Sequence, residues 1–179
     1  MRRVDGTERA IFPFWAPSGD YVGFFADGKI KRVSADDGAA ETVSELAVQS
    51  RGGSWNTDGV ILWARNRPEI QRLDASDGEP RAATIREESE TEHLFPEFLP
   101  DGKHYLFFVR SVKKGARGVY LGNLGEMSHR LLLPSESNAI SRRPATCSSI
   151  VTGVCARNAS MRERYPYRVT SSLSRTKSR

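Results

Sequence analysis

One unit of about forty residues recurs along most of this chain, in residues 12–43, 53–85 and 95–133. The aromatic residues Trp15, Trp55 and Phe98 stand 40 and 43 residues apart, and the pairs Ser18-Gly19, Asp58-Gly59 and Asp101-Gly102 keep those spacings. Asp37-Gly38 and Asp77-Gly78 recur at 40. Such a period constrains the fold strongly, because each unit must bury its apolar face against a neighbouring copy of itself.

Within a unit the pattern is that of strands. The X-Gly turn is followed by an aromatic and β-branched run, Tyr21–Ala26, Val60–Ala64 or Tyr105–Arg110. After a short polar turn comes an alternating segment, Lys29–Val33, Glu69–Leu73 or Gly118–Leu121. A third strand follows at Glu41–Val43, Arg81–Ile85 or Arg130–Leu133. Glycine and aspartate suit these turns because they tolerate positive φ. No amphipathic helix stands out in residues 1–137. A forty-residue period with three to four strands per unit marks a β-propeller blade. A β-sandwich has similar strand spacing but would not repeat Trp-x-x-Asp-Gly at 40.

The string Phe14-Trp15-Ala16-Pro17-Ser18-Gly19 and its fuller copy Phe98-Leu99-Pro100-Asp101-Gly102 resemble the TolB-like propeller repeat, in which an aromatic-x-Pro-Asp-Gly turn precedes an apolar strand. Trp55-Asn56-Thr57-Asp58-Gly59 is a looser copy, with Thr57 in the proline position. The combination is most similar to the propeller that follows the kinase domain in some bacterial serine/threonine protein kinases. The resemblance implies an all-β partial propeller of about three blades of four-stranded antiparallel sheet. Residues 1–11 read as the end of a preceding blade, with Val4–Ala10 as its last strand and linker. Blades follow at 12–52, 53–94 and 95–140, then a tail at 141–179. Trp15, Gly19, Trp55, Asp58, Gly59, Phe98, Pro100, Asp101 and Gly102 define the repeat. Three blades leave a ring open, which exposes apolar faces.

Composition breaks sharply near Ser137. Residues 1–137 carry 18 Lys and Arg against 21 Asp and Glu, whereas 138–179 carry 9 against the single Glu163. The net charge of +5 therefore belongs to the tail, which also holds both cysteines, Cys147 and Cys155, and none of the three Trp or eight Phe. Ser and Arg make up 16 of its residues. Codons permitted by Thr146–Met161, read one register over, allow an apolar strand, a polar turn and an alternating strand. The tail is thus expected to be out-of-frame translation of a further blade. Otherwise it is a disordered basic segment touching nucleic acid or anionic lipid only non-specifically.

No catalytic pattern is legible. Ser18, Ser54 and Ser111 lack a nucleophile elbow. Gly52-Gly53 reads as a turn, without the Lys-Ser/Thr of a phosphate loop. His93 follows the acidic run Glu87–Glu92 and reads as part of a solvated inter-blade loop, or as a weak cation or partner site there. His104 falls within a strand and His129 in a loop. Asp58, Asp77 and Asp101 serve turns, and Trp15, Trp55 and Phe98 anchor the core or blade packing, unless one of them lines the propeller's funnel. The two cysteines have neither partners for a zinc site nor the number for a disulfide framework. No cofactor or metal is expected. No apolar run approaches the ~20 residues of a membrane helix, and Met1–Gly6 has no apolar stretch behind it as a leader would. The expected function is that of a non-enzymatic interaction or sensor module in a larger signalling protein, possessing blade loops for a protein or peptide partner. The rivals are the propeller of a prolyl-oligopeptidase-type hydrolase and a periplasmic TolB-like protein. Compartment is not legible.

Overall fold

The computed structural model describes residues 4–36, 38–45, 49–65, 68–74, 79–142, 154–155 and 168–171. It is all-β, with no helix among the described residues. Three four-stranded antiparallel sheets follow one another, each meandering in chain order. Sheet 1 comprises β1 (Ile11–Trp15), β2 (Tyr21–Ala26), β3 (Lys29–Ser34) and β4 (Glu41–Ser44). Sheet 2 comprises β5 (Gly53–Trp55), β6 (Val60–Ala64), β7 (Ile70–Asp74) and β8 (Arg81–Ala82). Sheet 3 comprises β9 (Glu90–Phe98), β10 (His104–Ser111), β11 (Gly118–Asn123) and β12 (Glu126–Pro134). The backbones of β13 (Ala139–Arg142), β14 (Val154–Cys155) and β15 (Arg168–Ser171) form a small sheet in the order β13-β15-β14, with β13 against β9 and β10. The rest of the tail, on which the out-of-frame reading bears, lies outside the described residues, as do Asp37, Asp77 and Gly78.

Strand β5 packs between β1 and β9, so the first strands of the three sheets converge, as innermost strands of propeller blades do. These are the strands whose sequences read least like strands. Each carries one residue of positive φ within it or at its entry: Phe12 (48°) in β1, Gly52 (89°) just before β5 and Phe95 (53°) in β9. Their spacing repeats the 40 and 43 of the turns. Glycine adopts this conformation freely, whereas phenylalanine does so at a steric cost. Gly52 also admits the approach of Phe95, since a Cβ there would stand 3.1 Å from the Phe95 Cα. The Phe12 and Phe95 rings meet edge to face with centroids 6.3 Å apart. Gly53 thus opens a strand rather than forming a turn.

The turns after the innermost strands share one geometry. Gly19, Gly59 and Gly102 donate their N–H groups to the carbonyls of Ala16, Asn56 and Leu99, at 3.0, 3.3 and 2.9 Å. All three glycines have positive φ, and Pro17 and Pro100 occupy the position where a fixed φ presets the turn. The β2–β3 hairpin closes on Asp27 and Gly28, both of positive φ, as a two-residue loop requires.

Sheets 1 and 2 bury Phe14, Phe25 and Ile30 against Ile61, Trp63 and Leu73. Sheets 2 and 3 bury Leu62, Ala64 and Ile70 against Leu94, Tyr105, Phe107 and Tyr120. A Cβ on Gly23 would overlap the Phe14 ring, and one on Gly53 would crowd both Phe14 and Phe25, so only glycine admits these rings.

Two expectations need correction. Residues 4–10 form turns, not a strand. Gly6 and Arg9 have positive φ, Thr7 Oγ1 donates to the Val4 carbonyl and the Ala10 N–H to the Thr7 carbonyl. Trp15, expected to anchor packing, is 63% exposed. Strand alternation gives Phe14 the face toward sheet 2 and sends Trp15 to the other.

Candidate functional site

Two constellations stand out from the scaffold. The first is a groove of about 460 Å³ where the innermost strands turn back, walled by Pro17, Trp55, Thr57, Phe98, Pro100 and Gly102. It draws on all three sheets. Asn56 holds it together: its buried side chain accepts the N–H groups of Asp58 and Val60 at 3.1 and 2.8 Å and donates to the Gly102 carbonyl at 2.7 Å. Asn56 thereby takes the turn-forming role expected of Asp58, whose own side chain is exposed. Ser54 Oγ accepts the Phe98 N–H at 3.0 Å and ties β5 to β9. Trp55 and Phe98 are half-buried, each packing on one core and lending an edge to the groove.

Asp101 closes the third turn. Its carboxylate accepts the N–H groups of Lys103 and His104 at 3.0 and 2.9 Å and lies 2.6 Å from His104 Nδ1. Partial burial works to raise its pKa, but these donors outweigh it and hold the carboxyl below its ordinary range. The candidate nucleophiles serve structure. Ser18 Oγ accepts the Asp20 N–H, and Ser111 donates to the Ser89 carbonyl.

The second constellation was misread from sequence. His93 lies in β9 with no solvent exposure, rather than in a solvated loop, and His129 lies in β12 rather than in a loop. Both face Glu90, which is 1% exposed. His93 Nε2 stands 3.0 Å from Glu90 Oε2, and His129 Nε2 stands 2.9 Å from Oε1. The Glu87 N–H donates to Oε2 at 2.8 Å. Behind His93, Thr84 Oγ1 lies 2.8 Å from Nδ1 and accepts the Ile70 N–H at 3.0 Å, which joins the cluster to sheet 2. The rings of Phe107 and Tyr120 stand 5.4 and 5.2 Å from that of His129.

Burial favours a neutral Glu90, but the Glu87 N–H and the two imidazoles outweigh it and keep the carboxyl below its ordinary range. Burial pushes the His93 pKa down, against the pull of Glu90. In the absence of a cation, a neutral His93 accepts a hydrogen bond from the Thr84 hydroxyl at Nδ1 and donates Nε2–H to the carboxylate. The three residues bring together a carboxylate and two imidazoles whose ligand atoms lie within 4.8 Å of one another. The spacing of Glu90 and His93 was visible, but His129, 36 residues beyond His93, gave no signal.

No protein-family model matches the chain, and no curated protein matches its sequence. Solved structures do match its shape. A protein described as TolB from Agrobacterium tumefaciens superposes with a TM-score of 0.56 at 15% identity, over 68% of this chain and 48% of that one. A gluconolactonase from Xanthomonas campestris superposes with a TM-score of 0.57 at 12% identity, over 70% and 47%. An oligogalacturonate lyase in complex with manganese gives 0.54 at 17%, over 79% and 44%. The chain spans about half the length of these structures. The likeness is to TolB-like and gluconolactonase-type β-propellers, and the described part of the chain is a partial β-propeller.

Proposed function

We propose that this chain is a non-catalytic binding module, part of a larger bacterial signalling protein with a serine/threonine kinase domain, and that it takes a protein or peptide partner in the turn groove. The groove carries this reading. Its walls of proline and aromatic side chains suit an extended peptide with apolar residues, and its volume falls within the range of ligand sites. It is built on turns fixed by Asn56 and by three repeated N–H to carbonyl bonds, so the walls are preformed. The kinase association rests on the resemblance of the repeat.

Selection of peptides from a displayed random library, followed by titration against the purified chain, tests the groove. The expected result is enrichment of apolar, proline-containing sequences. Their binding should weaken at least about tenfold in Trp55→Ala and Phe98→Ala, the loss of about 1.4 kcal/mol that defines one decade. Selected peptides indifferent to both substitutions would displace the site, and turnover of ester or lactone substrates by the purified chain would remove the non-catalytic reading. The coding sequence around the gene separates the parents: an upstream kinase, a downstream hydrolase domain, or a leader.

A further inference from the structure

We propose that Glu90, His93 and His129 form a structural site for a divalent transition-metal cation, best suited to Zn²⁺, that fastens the two edge strands of sheet 3 beneath sheet 2.

The donor set comes first. Two imidazoles and a carboxylate suit zinc, which takes nitrogen at about 2.0–2.1 Å and carboxylate oxygen at about 2.0–2.2 Å. In a tetrahedral site these bond lengths separate ligand atoms by about 3.3 Å. The two nitrogen–oxygen separations here, 3.0 Å to Oε2 and 2.9 Å to Oε1, each lie close to that, and all three ligand atoms fall within 4.8 Å. Closing the set on one ion needs a turn of the carboxylate and an approach of the two rings, which here face different oxygens.

The surroundings agree. A ligating histidine donates its other ring N–H to a second group, and Thr84 Oγ1 stands 2.8 Å from His93 Nδ1, free to accept in that state. The Glu87 N–H steadies the carboxylate in the same way. Phe107 and Tyr120 wall the cluster, so its charge is poorly screened by water. The Glu90 carboxylate is buried, where a bound cation offsets its charge. Hydrogen bonding alone does not complete the cluster either, because the buried His129 Nδ1 has no partner among the described residues. A surface cleft of about 260 Å³ has His129 in its wall and offers a route for the ion. Zinc would bond Nε2 of each imidazole, each ring carrying its one proton on Nδ1, and one carboxylate oxygen, leaving a fourth position for water.

The full chain, purified without chelator, dialysed metal-free and titrated with Zn²⁺ alone, tests the site. The expected result is uptake of roughly one ion per chain, with visible d–d absorption when Co²⁺ replaces Zn²⁺. His129→Ala should abolish both signals, while Thr84→Val should weaken uptake by about 10- to 100-fold. The Cys147→Ser/Cys155→Ser double variant should retain uptake, and its loss there would assign the ion to the tail thiols. Should a histidine variant fail to fold, the wild type still decides. A melting temperature raised by Zn²⁺ and lowered again by chelator supports the site. Less than about a tenth of an ion per chain, with a melting temperature indifferent to Zn²⁺ and chelator, overturns it.

Discussion

The two junctions between neighbouring sheets are built by different means. Between sheets 1 and 2 the contact is apolar: Phe14 and Phe25 wedge over Gly23 and Gly53 and meet Ile61 and Trp63. Between sheets 2 and 3 a comparable apolar layer surrounds a buried carboxylate, two imidazoles and a threonine hydroxyl. The apolar junction needs only the right volume, and glycine where a ring comes close. The mixed junction needs every polar atom placed, since a buried charge that loses its partners costs more than a lost contact. The first tolerates repacking, whereas the second specifies one register.

Removing the largest side chain of the apolar junction should have the greatest effect. Trp63 has no exposure, and Trp63→Ala is expected to cost about 3–5 kcal/mol in urea unfolding. A loss below about 1 kcal/mol would mean that sheets 1 and 2 do not pack as described. Next comes the mixed junction. Glu90→Gln keeps the shape but removes the charge that both imidazoles face, and in the presence of chelator it should cost about 1.5–3 kcal/mol. A stabilised variant would show that the buried charge is a burden rather than a fastener.

Asn56→Ala should follow at about 1–2 kcal/mol, because it strips two turn N–H groups and the Gly102 carbonyl of their partner. It should also loosen peptide binding in the groove, while Glu90→Gln should not. The smallest effect is that of acid on the third turn. Asp101 has a lowered folded pKa, so its contribution is present above the unfolded value and is lost as pH falls through the folded one. A urea-midpoint titration below about pH 4 should therefore be flatter in Asp101→Asn than in wild type. Equal slopes would remove Asp101 from the turn.

The pattern of legibility follows the same division. Strands β2, β6 and β10 stood out because a run of aromatic and β-branched residues is itself the cause of a strand with buried faces. The turns stood out because only glycine takes their φ at no cost. The innermost strands were dim, since Phe12-Pro13, Gly52-Gly53 and Phe95-Pro96 look like breaks. A register shift between Glu90 and Glu92, opposite Arg110 and Ser111, also spoils alternation along β9, which is why Glu90 and His93 both point inward from a run that reads as solvated acid. His129 could not be paired with them from sequence, because the pairing depends on a sheet that brings β9 and β12 into one blade. Asn56 was overlooked because Asp58 held the family position while Asn56 held the bonds.

Amide hydrogen exchange of the full chain tests the partial propeller most directly, because it reports which strands are covered on both faces. Strands β6 and β7 of sheet 2, flanked on either side, and the buried strands β10 and β11 should exchange slowest, and the edge strands β1, β4 and β8 much faster. Protection that is slowest in sheet 1, or absent from β6 and β10, would contradict the stacking of three blades.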